Sequence, residues 1–169
     1  MNKNLIAALL LSVFSISAHA EEGEPMTGYG GTNVGASVVS DSKGNAGLGT
    51  SLALGSVLGF NLNKYIAIEG ALNMAFDKAY IVPVTVAVFA RAPITEKTAV
   101  YGKAGASYMT IMYTAYSVSG VTGMYGFGVE LSPDSVRSVR IGVDHYDLSV
   151  GAGTSVSSNF IGLTNISRF

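Results

Sequence analysis

His145, Asp147 and Ser149 alternate along the stretch "DHYDLS". These residue types could supply a general base, an orienting acid and a nucleophile to a hydrolytic site. In an extended strand, alternate residues share one face. His145 and Ser149 then stand about 13 Å apart at about 3.3 Å per residue. A base must come within about 3 Å of its nucleophile. Asp147 is nearer, and Ser157 or Ser158 could approach from a neighbouring strand. The set leaves open a lipid-active enzyme using His145, beside the plainer reading of a polar rim where a strand leaves an apolar layer. The expectation is that the protein is not an enzyme.

A second group of reactive side chains is more telling. Glu69, Arg91, Lys103, Glu130, Arg140 and Asp144 are single charges set into otherwise apolar or small-residue segments. Three acids and three bases so placed suit internal ion pairing better than solvation. Other chemistry finds little support. Gly28, Gly30 and Gly31 are not followed by a phosphate-binding fingerprint or by a helix opening. The chain has no cysteine, and His19 and His145 are its histidines, so no metal centre and no cofactor are expected. Near-neutral charge without a basic cluster argues against nucleic acid.

The elements that must position these residues are strands. Charged residues make up 12% of the chain and hydrophobic residues 49%, against about 25% charged in ordinary soluble domains. The first twenty residues account for part of this. Lys3, the apolar run "LIAALLLSVFSI" and the small-x-small "AHA" at Ala18–Ala20 form an export-signal pattern. Residues 1–20 are thus expected to be cleaved, leaving 21–169 as one domain. Beyond them no run of about 18 apolar residues could span a bilayer as a helix. Instead, segments of about ten alternating residues are separated by turn-forming pieces. Eight can be counted: 28–39, 49–61, 65–76, 80–92, 99–109, 122–132, 136–148 and 158–169. "NLNK", "PITEKT" and "SPDS" are tight turns. "SDSKGNAG", "TIMYTAYSVSGV" and "SVGAGTSVSSN" read as longer loops at the other end, and "DKA" is a short exception.

Parity divides each strand into two faces. Val82, Val84, Val86 and Val88 oppose Thr85, Ala87 and Arg91; Tyr125, Phe127, Val129 and Leu131 oppose Gly126, Gly128 and Glu130. A small or charged face fits inside a narrow barrel and leaves the bulky face for lipid. An Arg or Lys facing hydrocarbon at mid-depth would cost about 2–4 kcal/mol. The fold expected is therefore all-β: an eight-stranded antiparallel transmembrane β-barrel, an up-and-down meander with a side-chain-filled lumen. Glu69 is expected to pair with Arg91 and Glu130 with Arg140, with Lys103 in reach of either group. A narrow porin-like channel is the transport alternative, and it would require these pairs to break or rearrange. Tyr113 and Tyr116, with Tyr108, Met109, Ile111 and Met112, are read as an aromatic extension above the membrane that could contact a surface partner.

With a signal, eight strands, inward charges and a closing Phe169, residues 21–169 resemble small outer-membrane barrels of the OmpA/OmpX type. The stretches that carry the resemblance are "GFNLNKYIAIEGAL", "YGFGVELSPDSVRSVRIGVDHYDL" and the terminal "RF". The resemblance implies a bacterial outer-membrane location and an interior salt-bridge cluster at Glu69, Arg91, Lys103, Glu130 and Arg140. It also implies a monomer in contact with lipid and lipopolysaccharide, and reading of Phe169 by the barrel-assembly machinery. No periplasmic peptidoglycan-binding domain is expected. One departure stands out: outward positions Asn165 and Ser167 are polar. Either a bulge there brings Ile166 outward, or the strand end lies below the hydrocarbon. The role expected is an envelope-structural or surface-contact one.

Overall fold

In a computed structural model, the described residues are 27–41, 50–76, 80–112, 117–151 and 154–169. They form eight antiparallel strands: β1 (Thr27–Asp41), β2 (Thr50–Asn61), β3 (Ile66–Phe76), β4 (Tyr80–Pro93), β5 (Thr98–Met112), β6 (Ser117–Leu131), β7 (Arg137–Gly151) and β8 (Thr154–Arg168). Each pairs with the next, and β8 pairs with β1, closing the sheet without a free edge. The expected signal segment lies outside the described residues. No helix among the described residues is long and apolar enough to cross a membrane, and strands do the crossing in this architecture.

The three tight turns share one device. In each, a short polar side chain accepts hydrogen bonds from backbone N–H groups two or three residues on, which fixes a reversal without help from the sheet. Asn63 Oδ1 accepts from Tyr65 and Ile66, both at 2.8 Å. Asp134 Oδ1 accepts from Val136 at 2.8 Å and Arg137 at 2.6 Å. Thr95 Oγ1 accepts from Lys97 at 3.2 Å. Pro93 closes β4 and Pro133 lies in a turn, where a missing N–H costs nothing. Pro83 sits inside β4, and there the β3–β4 pairing lapses between Leu72–Val84 and Ala75–Ile81.

The strands at the opposite end run further than the alternation suggested. β5 continues to Met112 and β6 begins at Ser117, so most of "TIMYTAYSVSGV" is ladder rather than loop. Only residues 152–153 separate β7 from β8, so "SVGAGTSVSSN" is likewise mostly strand. Serine, threonine and valine between glycines satisfy a ladder as well as a loop, which is why composition misplaced these ends. The one long separation is 42–49, between β1 and β2.

Phe60, Val86, Phe127 and Ile141 are more than half exposed on the outer wall, as lipid contact requires. Near the closing seam no bulge occurs. The β1–β8 register runs unbroken from Val156 to Arg168, and Ile166 points inward, fully buried. Asn165 and Ser167 therefore face outward, which excludes the bulge. The Phe169 N–H donates to the Gly28 carbonyl at 2.9 Å, and its ring lies over Gly28, where a side chain would collide with it. The shift in the β7–β8 pairing falls at Ser149/Gly151 instead.

The Asp134 turn gives a test. The backbone N–H groups of Arg137 and Val136 favour its charged form and hold its carboxyl below the usual aspartate range. A group depressed on folding adds stability that is present above its unfolded pKa and is lost as pH falls through its folded pKa. Carbon-13 titration of Asp134 in the folded barrel should give a midpoint below that of the same residue in unfolded chain. A midpoint at or above the unfolded value would refute the turn's hydrogen-bonding role.

Candidate functional site

Inward positions at the tight-turn end carry nearly all the buried charge, and closure of the barrel brings side chains from opposite walls within reach. Arg140 on β7 sits at the centre. Its Nε donates to Glu130 Oε2 at 2.9 Å, from the residue directly across the β6–β7 ladder. Its Nη1 bonds Glu69 Oε2 on β3, at the far side of the barrel. The guanidinium also lies 4.1 Å from the Phe89 ring centre, 5.0 Å from Tyr29 and 5.8 Å from Tyr101. Aromatic faces favour a cation where water is excluded.

The network extends outward from this hub. Glu69 accepts from the Tyr29 hydroxyl at 2.9 Å and pairs with Lys103 at 3.4 Å. Lys103 also meets Asp144 at 2.9 Å. Glu130 takes Arg168 at 2.6 Å and Arg91 at 3.5 Å. Arg91 in turn donates to Asn61 Oδ1 at 2.8 Å. Tyr29, Asn61, Glu69, Arg91, Lys103, Glu130, Arg140 and Arg168 come one from each of the eight strands. The buried charges are thereby paired and hydrogen-bonded, the condition under which charge is tolerated away from water.

All six charges singled out in the sequence face the lumen, but one pairing differs. Glu69 does not pair with Arg91. The β3–β4 register sets Glu69 opposite Ala87, so Arg91 lies about 13 Å further along its strand. There it is beside the turn, its N–H on the Tyr65 carbonyl, within reach of Glu130. Parity alone would have flagged Arg168, which alternates with Ile166 on the inward face of β8. Tyr29 and Tyr101 were hidden by their type, since tyrosine serves the outer girdle equally well.

This arrangement fills the lumen at the tight-turn end. Room for side chains comes from glycines on facing positions: a side chain at Gly59 would collide with the Tyr29 ring, and one at Gly142 with the Tyr101 hydroxyl. A cavity of about 20 Å³ remains between Asn33, Asn73, Lys103 and Asp144, room for about one water. Among the described residues no cluster of three or more metal-ligating side chains occurs.

The outer-wall set resolves differently from a hydrolytic triad. His145 lies against Tyr125 with ring centres 4.8 Å apart and the planes tilted by 36°, and its Nδ1 lies 2.8 Å from Asn159 Oδ1. The Ser157 hydroxyl donates to Asp147, 3.8 Å from the other ring nitrogen of His145. Ser158 points inward and bonds Ser37. The hydroxyl nearest in sequence logic is thus committed to the acid. Tyr113 and Tyr116 lie outside the described residues. Tyr108 and Met112 face outward, whereas Met109 and Ile111 are buried inside the barrel, so the described part of that stretch is a two-faced strand.

The sequence matches the family described as outer membrane protein beta-barrel domain over residues 6–169. No curated protein matches it significantly. Among solved structures, Neisserial surface protein A is similar with a TM-score of 0.68 at 11% identity, over 86% of this chain and 100% of that one. The N-terminal β-barrel domain of Pseudomonas aeruginosa OprF follows with a TM-score of 0.58 at 9% identity, over 86% and 99%. Yersinia pestis Ail, the attachment invasion locus protein, solved with the heparin analogue sucrose octasulfate, gives 0.54 at 15% identity, over 83% and 97%. At these identities the likeness is one of fold.

Partner geometry ranks the cations. Arg140→Met strips a cation from two buried carboxylates and should cost about 3–5 kcal/mol. Arg91→Met should cost distinctly less, because Glu130 keeps Arg140 and Arg168. Denaturant titration of barrels refolded into lipid vesicles, read by the heat-sensitive shift in gel mobility, checks the order. Equal costs would contradict the hub assignment.

Proposed function

The chain belongs to the outer membrane protein β-barrel domain family and is a bacterial outer-membrane barrel; from that premise we propose that it serves as a sealed, non-enzymatic scaffold of the envelope. The observation that carries the reading is the set of paired charges that crosses the lumen. A hydrated ion needs a continuous aqueous path, and eight strands give an interior just wide enough for its own side chains. Short separations between β3 and β4, β5 and β6, and β7 and β8 leave little outside the wall, which favours a structural role over contact with a large surface partner. A surface-contact role would fall to residues 42–49 and to Tyr113 and Tyr116. Ail, crystallised with a heparin analogue, makes a sulfated glycan the class to try first for it.

In the same proposal residues 1–20 direct export and are removed, and Phe169 is read by the barrel-assembly machinery during insertion. The folded protein is a monomer in lipid and lipopolysaccharide, with no cofactor. The commitment of the Ser157 hydroxyl to Asp147 supports the absence of an outer-wall hydrolase.

Planar-bilayer recording of the refolded protein tests the sealed lumen. Silence or rare flickers are expected. Steady ohmic openings would replace the scaffold with a porin-like channel.

A further inference from the structure

The upper lumen, toward the end where β5 meets β6 and β7 meets β8, differs in kind from the ionic cluster. Lys103 and Asp144 are the last charged groups on their inward faces within the described strands. Beyond Lys103, the inward side chains of β5 include Ser107, Met109 and Ile111; beyond Asp144, those of β7 are Tyr146 and Leu148. Val39 from β1 and Val156 from β8 join them, all buried. Ala53, Ala75, Ile81 and Met124 complete the layer, so all eight strands contribute to it. Several hydroxyls in this region bond side chains across the lumen wall: Ser37 with Ser158 at 3.0 Å, Thr85 with Ser107 at 3.1 Å, and Tyr146, which accepts from Asn73 at 3.4 Å. Thr122 bonds the backbone carbonyl of Asp147.

We propose that this layer is a second, independent closure: an apolar plug that excludes water and ions whether or not the charges below it are paired. From Met109 to Ile111 the apolar side chains of β5 span about 5 Å along the axis, allowing for strand rise and tilt. An apolar constriction bars an ion by offering nothing in place of its hydration shell, and it stays dry because its walls do not hydrogen-bond water. Ion pairs can exchange partners for water when disturbed, whereas packed methionine, isoleucine and leucine side chains cannot. Disrupting the ionic cluster alone therefore leaves the barrel shut. This inference rests on the sealed-scaffold reading and refines it.

The absence of native cysteine makes the test clean. Ile111→Cys is introduced into the otherwise native chain and into Glu130→Ala, with Glu96→Cys in an exposed turn as the reference. A small charged methanethiosulfonate is applied to the refolded proteins. Labelling at residue 111 should be roughly 100-fold slower than at residue 96 in both backgrounds, as a water-free layer requires, and Glu130→Ala should stay electrically silent. If Ile111→Cys does not refold, Leu148→Cys in the same layer gives the same readout. Labelling at a rate comparable with residue 96, or steady openings from Glu130→Ala alone, would overturn the plug while a silent native protein keeps the scaffold reading. Steady openings of the native protein would sink both.

Discussion

A guanidinium buried between two carboxylates on opposite walls is the constraint around which this barrel is arranged. Arg140 reaches across the lumen to Glu69 and along its own ladder to Glu130. Taking such groups from water is expensive, and only full pairing with good geometry compensates. Full pairing is reached only when every strand is in place, since each supplies a donor or an acceptor. An incompletely closed sheet would leave a charge without its partner in a low-dielectric interior. The network thus links side-chain electrostatics to closure of the backbone ladder, and makes the barrel a cooperative unit rather than a row of hairpins.

The constraint also explains features that look unrelated. Glycine at positions 59 and 142 makes room for the Tyr29 and Tyr101 side chains, which line the guanidinium together with Phe89. Aliphatic residues go to the outer wall, where lipid accepts them. Above the charges the interior turns apolar, with Met109, Ile111, Tyr146 and Leu148 in one buried cluster. The lumen is layered along its axis, ionic at the tight-turn end and dry toward the other. One sheet solves two solvation problems, with aliphatic and aromatic side chains on much of its outer face and most of the buried charge paired inside.

Much of this was legible in the chain, because a strand's period of two separates faces without any knowledge of the partner. Val82 to Val88 and Tyr125 to Leu131 declare their lipid face by parity, and "NLNK" and "SPDS" declare their turns by side-chain acceptors. What parity cannot supply is distance across the lumen. Glu69 and Arg91 lie on adjacent strands and look like neighbours, but register separates them and strand closure brings Arg140 instead. The upper strands were misjudged for a different reason. Met109 and Ile111 interrupt the rule that inward residues are small or charged, so the alternation that marks a lipid-facing strand fades where both faces are apolar. Loop and strand then become indistinguishable by composition in "YTAYSVSGV".

The central claim is that Glu69 and Arg140 act as one unit across the barrel. A double-mutant cycle over Glu69→Gln and Arg140→Met, by denaturant unfolding from lipid vesicles, measures this directly. The network predicts strong coupling, more than about 1 kcal/mol, within the range found for groups in one buried network. Additive effects, agreeing within about 0.5 kcal/mol as for distant sites, would contradict it.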